Sequence, residues 1–276
     1  MKLQTVVDIK PSAWKIGYED KILMVGSCFS DEIGEQMEER YLNVTCNPFG
    51  TLYNPLSIAQ ALQMTEMPAL VEHDGLWHSM AHHGSFSRPT KEEAEQAVRE
   101  SIETMQRALA DASVVIVTFG TAWVYEMDGE IVGNCHKLPE SSFTRRRLTV
   151  EEIIAAWKPI LERYPDKHWL FTVSPIRHIK DGLHENQLSK ATLLQAVEQL
   201  VNQPCMVDTS YFPSYEILLD ELRDYRFYAD DLVHPSSLAV HYIWERFVDT
   251  YCTNQTKNEL VLQHKRWKHE HHIPLH

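Results

Sequence analysis

Lys21-Ile22-Leu23-Met24-Val25-Gly26-Ser27-Cys28-Phe29-Ser30 is the stretch on which the fold turns. Its first half is an unbroken apolar run of strand length, as expected of a strand covered on both faces, and it breaks on a glycine and a hydroxyl. Three more runs have the same form: 113–118 leading into Phe119-Gly120, 169–173 leading into Ser174-Pro175, and 205–207 leading into Asp208-Thr209-Ser210. Helical periodicity fills the intervals. Ser30 or Asp31 is expected to cap a helix reaching Tyr41, 91–109 reads as a polar-faced helix, and Thr149 with Glu152 has the spacing of a capping box. Helices are also expected over 189–201, 215–222 and 235–251. Strands alternating with helices predict an α/β fold built on an open, mainly parallel sheet.

Two stretches break the alternation and read as insertions over the sheet, about 67–89 and 125–148. The second holds Glu126-Met-Asp-Gly-Glu-Ile131, a hairpin turn pattern. With no repeat and no low-complexity linker, 1–252 reads as one domain followed by a polar, histidine-rich tail, 253–276. The 276 residues include 39 acidic and 26 basic side chains, a formal charge of −13. That balance argues against nucleic acid or an anionic membrane surface as a partner, since both attract clustered positive charge. No run of eighteen apolar residues predicts a membrane-spanning helix, and the first fifteen residues lack the apolar stretch of a secretory signal. The five cysteines (Cys28, Cys46, Cys135, Cys205, Cys252) include no C-x-x-C pair, which fits a reducing cytoplasm. Oligomeric state is left open.

In a parallel sheet ligands gather at the carboxyl ends of the strands. Gly26-Ser27 lies there, at the start of a helix whose free N–H groups favour developing negative charge; that suits a serine nucleophile. The competing reading of Ser27 is a simple helix cap. Asp231 and His234, three apart, have the spacing that lets a carboxylate hold Nδ1 of a general base; the competing reading is a turn that caps the last helix. Cys28 is expected to pack beneath the turn rather than react. His73, His78, His82 and His83 are expected in a loop or pocket lining, because Gly75 and Gly84 disfavour the helix that would align His78 and His82 on a metal. Neither metal nor cofactor is expected. Arg145-Arg146-Arg147 reads as a solvated face. Arg177 either holds a substrate carboxylate or phosphate or pairs with an acidic side chain, His178 beside it borders the pocket, and Trp123 is either pocket wall or core.

The Gly26-Ser27-Cys28-Phe29 block, with Asp-x-x-His near the far end, resembles the GSCFA family of the SGNH (GDSL-like) hydrolase superfamily. Asn47-Pro48-Phe49-Gly50-Thr51, Gly120-Thr121-Ala122-Trp123, Ser174-Pro175-Ile176-Arg177-His178, Glu185–Lys190 and Asp224–Tyr228 look like further family blocks in order. The resemblance implies a three-layer α/β/α, flavodoxin-like serine hydrolase. Its triad is Ser27 as nucleophile, His234 as base and Asp231 as orienting carboxylate. Its oxyanion hole takes the Ser27 N–H, the Gly50 N–H and, where the superfamily has an asparagine amide, Thr121. Asn47, Asn54 and Asn186 are alternatives to Thr121, and Asn47, Trp123, Arg177, His178 and Asn186 are the expected substrate-binding residues. The implied activity is cleavage of a small acyl ester, such as an O-acetyl group, from a small molecule or glycan. An acyltransferase and a non-catalytic binding module are the alternatives.

Overall fold

A computed structural model describes residues 4–202 and 207–271. The chain begins with β1 (Lys21–Gly26), α1 (Cys28–Glu38), β2 (Asn43–Cys46), α2 (Pro55–Gln63) and a hairpin of β3 (Leu70–His73) and β4 (Leu76–Ser79). Next come α3 (Lys91–Asp111), β5 (Val114–Phe119), β6 (Trp123–Met127), β7 (Glu130–Val132) and β8 (Thr144–Arg147). α4 (Val150–Arg163), β9 (His168–Val173), α5 (Leu183–Val201) and β10 (Thr209–Phe212) follow. α6 (Ser214–Glu216) runs into a π-helical turn at Ile217–Leu222, and α7 (Ser237–Tyr251) and α8 (Asn254–Glu270) complete the described chain.

Five strands pair in parallel in the order β2-β1-β5-β9-β10. Counted within the sheet this is 2-1-3-4-5, the flavodoxin-like order. The pleat lets one apolar run serve two cores. Leu23, Val25, Val115 and Val117 face the core shared with α2, α3, α4 and α5, whereas Ile22, Met24, Val114 and Ile116 face the one beneath α1 and α7. The result is three layers, α/β/α. In the first core Trp157 is fully buried against Phe119, Phe171 and Trp169, and its indole N–H donates to the Pro55 carbonyl at 3.0 Å. Truncating such a side chain costs about 3–5 kcal/mol.

Both edge strands depart from the sequence reading. β2 was not expected, and the run expected at 205–207 is not the fourth apolar strand: Cys205 and Met206 lie outside the described residues, and the strand is Thr209–Phe212. Edge strands pair on one side only, so polar Asn43, Thr45, Thr209 and Ser210 are tolerated and no continuous apolar run marks them. α1 starts at Cys28 with Ser27 in the N-cap position, so neither Ser30 nor Asp31 caps it. The Thr149–Glu152 capping box is formed in both directions.

The stretches outside the alternation have their own structure. β3 and β4 pair as one hairpin; β6 pairs with both β7 and β8 in a three-stranded antiparallel sheet, turning through Asp128 and Gly129 at φ 54° and 85°. Two successive positive φ values are what a two-residue hairpin turn demands. Past Tyr251 the histidine-rich segment is helical. α8 docks through buried Leu260 and through His264, whose Nδ1 lies 2.9 Å from Arg40 Nη2 and whose Nε2 lies 3.3 Å from Glu39. His272 and His276 lie outside the described residues. Among the described residues no helix is long and apolar enough to cross a membrane.

Candidate active site

β1 and β5 flank the point where the strand order reverses, the place where doubly wound sheets bind ligands. β1 ends there on Gly26, at φ 141°, where a Cβ would stand 2.2 Å from the Thr118 carbonyl oxygen. The next residue, Ser27, has extended geometry (φ −70°, ψ 171°) and holds the N-cap position of α1 without making a side-chain cap bond. Its hydroxyl has no hydrogen-bond partner among the described residues and is shut off from solvent at the lining of a cavity of about 510 Å³. A cap serine accepts a helix N–H; this one does not, so capping does not account for it.

His234 lines the same cavity from the other side of the chain. Its Nδ1–H donates to Asp231 Oδ2 at 2.6 Å, while Asp231 Oδ1 accepts the backbone N–H groups of Val233 at 2.8 Å and His234 at 3.0 Å. These three donors, the imidazole first, hold the Asp231 carboxyl well below the usual carboxylate range, at about 2. The pair does not cap α7, because that role belongs to Ser236, whose hydroxyl accepts from the Ala239 N–H. The loop is pinned on the cavity side by the Arg177 N–H donating to the Val233 carbonyl at 3.2 Å and by Arg177 Nη2 donating to Leu232 O at 2.7 Å. Ser27 and His234 thus line one cavity, with no hydrogen bond joining them.

The expected oxyanion donors fare differently. The Ser27 N–H donates to the Thr118 carbonyl at 3.1 Å. Gly50 is not among the cavity-lining residues, and its N–H closes a turn on the Asn47 carbonyl at 2.7 Å, so this geometry does not offer it to an oxyanion. Gly50 is instead required by its φ of 72° and by His83, whose Cβ would lie 2.4 Å from an added one. Thr121 does line the cavity; its hydroxyl oxygen accepts the Trp123 N–H and lies 3.1 Å from Ser189 Oγ. Of the three candidate asparagines Asn47, Asn54 and Asn186, Asn54 alone is in the lining, and it caps α2. Asn47 bridges the Gly26 N–H and Asp31, and Asn186 Oδ1 accepts the His178 N–H, both away from the cavity.

Trp123, Arg177 and His178 all line the cavity. Burial, with the Lys190 ammonium adding to it, pushes the His178 imidazole down to about 4, so it is neutral near pH 7. Cys28 is a correction: it lines the cavity rather than lying wholly beneath the turn. Burial pushes its thiol up to about 11, which leaves it a poor nucleophile. Arg145 is exposed, as a solvated face requires, but it is not free: its guanidinium lies 4.3 Å over the Trp123 ring and pairs with Asp181 at 2.6 Å. Arg146 and Arg147 pair with Glu126 and Glu152 and with Glu185. His78 and His82 share no helix face; each commits both ring nitrogens, His78 to Ser87 and the His73 carbonyl, His82 to Ser79 and Ser101.

Lys190 closes one of the sequence blocks, but its sequence assigns it no role. It is fully buried, and its Nζ donates at 2.7 Å to the carbonyls of both Gly120 and Ser174, tying the ends of β5 and β9 together behind the cavity. Burial without a carboxylate pushes its amine down to about 7. A lysine amid the buried face of α5, in register with Asn186, Leu193 and Val197, was the signal available.

Residues 21–247 match the model of the GSCFA family. No curated protein matches the sequence. Among solved structures, a carbohydrate esterase family 3 enzyme from Talaromyces cellulolyticus superposes over 90% of this chain and 99% of its own, with TM-score 0.39 and 10% identity. An acetyl xylan esterase from the rumen bacterium Butyrivibrio proteoclasticus superposes over 85% of this chain and 64% of its own, with TM-score 0.42 and 10% identity.

Proposed function

The chain belongs to the GSCFA family, and on that premise we propose that it is a serine esterase that removes a small acyl group, such as acetyl, through Ser27, His234 and Asp231. One observation carries the reading: a buried serine hydroxyl at a helix start is left without a partner among the described residues, beside a cavity that also presents a carboxylate-held imidazole. Leaving a buried hydroxyl unpaired is unfavourable by about 1–3 kcal/mol, and a reactive role explains why such a group is kept.

In the mechanism, His234 Nε2 takes the Ser27 proton as Oγ adds to the ester carbonyl. Asp231 keeps the imidazole proton on Nδ1 and stabilises the imidazolium. His234 then protonates the leaving alcohol, giving an acyl-serine. A water deprotonated by His234 attacks that acyl carbon and restores Ser27. Cys28, first residue of α1, offers an N–H that the helix leaves unused, and the Thr121 hydroxyl offers a second donor to the oxyanion. Ser27 Oγ is closed off and not bonded to His234 here, so the proton transfer requires the two to reach hydrogen-bonding distance once substrate is bound. An alcohol in place of water would make the same acyl-enzyme a transferase. Unpaired thiols at Cys28, Cys46, Cys135 and Cys252 support work in a reducing compartment such as the cytoplasm.

A second reading draws on the engaged Ser27 and Gly50 N–H groups: a scaffold that binds an acylated ligand without turnover. Hydrolysis of p-nitrophenyl esters of increasing acyl length separates the two. The esterase reading expects turnover, fastest for the shortest chains and abolished in Ser27→Ala; turnover equal in Ser27→Ala removes Ser27 as the nucleophile, and none with any ester supports the binding scaffold.

A further inference from the structure

Eight buried side-chain polar atoms lack a partner among the described residues, and four of them belong to side chains lining the cavity: Ser27 Oγ, Trp123 Nε1, Arg177 Nε and His178 Nε2. Native folds satisfy nearly all such atoms, so a cluster of exceptions around one cavity marks groups awaiting a ligand. Trp123 Nε1 and Arg177 Nε can only donate; what they await is acceptor oxygen.

Charge points the same way. Arg145, Arg177 and Lys180 line the cavity against one carboxylate, Asp181, which Arg145 already occupies at 2.6 Å. Arg177 stacks 4.4 Å over the Tyr228 ring and uses Nη2 on the Leu232 carbonyl, leaving Nε free. Among the described residues neither Arg177 nor Lys180 pairs with a carboxylate, although acidic side chains outnumber basic ones 39 to 26 in this chain. His178 is neutral and cancels none of this charge. Trp123 and Tyr125, beneath the Arg145 guanidinium, add aromatic lining to the same cavity.

We propose that the ester accepted by this cavity carries an anionic group on its non-acyl part, a carboxylate or a phosphate, held by Arg177 and Lys180. This rests on the esterase reading of the same cavity and adds the substrate class. Recognition is a charge-assisted, donor-only contact from the Arg177 guanidinium, reinforced by the exposed Lys180 ammonium at the rim.

The test compares kcat/KM for 2-, 3- and 4-acetoxybenzoate, which step the charge away from the ester, with 4-acetoxybenzamide, its neutral counterpart. 4-Acetoxyphenyl phosphate forms the phosphate arm and decides which anion is preferred. One anionic member should exceed the amide by about ten- to a hundredfold, and the ratio should fall toward one in Arg177→Gln and in Lys180→Gln. The amide rate reads any displacement of the His234 loop by Arg177→Gln, and Lys180, being exposed, leaves folding untouched. Calorimetric titration of Ser27→Ala protein with 4-hydroxybenzoate and 4-hydroxybenzamide reads binding without turnover. If no ester is hydrolysed yet the benzoate binds tenfold tighter than the amide, the esterase reading fails and the anion site stands. Rates and affinities within threefold for charged and neutral members, or a preference unchanged in both variants, overturn the proposal.

Discussion

Replacing Asp231 by asparagine separates chemistry from scaffolding at the site. Asn retains an oxygen to accept the Val233 and His234 N–H groups now bonded at 2.8 and 3.0 Å, so the loop keeps its shape. It replaces the oxygen 2.6 Å from His234 Nδ1 with an NH2 group. Two donors then face each other unless the imidazole proton moves to Nε2, and an Nε2–H cannot take a proton from Ser27. The same change in a serine protease triad lowers kcat by about 10⁴, and a comparable loss is expected here. Stability should barely respond: the two side chains are 50% and 49% exposed, and exposed pairs contribute little. A Tm within about 2 °C of the parent is the expectation. Steady-state kinetics on the best ester, beside scanning calorimetry, read both numbers. Activity within tenfold of the parent would refute the assigned role. A large loss accompanied by a Tm drop above about 5 °C would instead make Asp231 a loop brace.

Gly26→Ala should be the most damaging single methyl in the sheet, because φ is 141° and the new Cβ meets the Thr118 carbonyl at 2.2 Å; we expect insoluble protein or a urea midpoint lowered by at least about 3 kcal/mol equivalent. Burial pushes the His82 imidazole from 6.5 down to about 3, so the unfolded chain binds a proton that the folded chain refuses. Its contribution to stability is therefore complete above pH 6.5 and is lost as pH falls toward 3, and urea titrations should show His82→Gln shallower over that window by about 1.4 kcal/mol per pH unit. Lys190 follows the same sign at higher pH. With its amine at about 7 when folded and 10.5 when free, stability should rise between those values, and Lys190→Met should flatten the rise while lowering kcat by loosening the Gly120 and Ser174 carbonyls.

The interior of the sheet was legible because β1, β5 and β9 are apolar on both faces, and the capping box at Thr149 is a purely local pattern. The edges were not, since Asn43–Cys46 and Thr209–Phe212 are made strands by pairing with a neighbour rather than by composition. Short motifs point to Ser27 and His234, but they say nothing of the fate of each N–H around them. Gly50 matches its motif while its N–H closes a turn on Asn47. Arg145 is exposed as its sequence suggests, but only the pairing of β8 with β6 shows that it also lies over Trp123. Lys190 needed helix phase as well as identity, because a lysine at a core position differs from a surface lysine only by its neighbours three and four residues away.

Active-site labelling addresses the nucleophile most directly. A fluorophosphonate probe followed by peptide mass spectrometry should place one adduct on Ser27, absent in His234→Ala and blocked by prior incubation with a hydrolysable ester. An adduct on Cys28, or no adduct where a control esterase labels fully, would contradict the account.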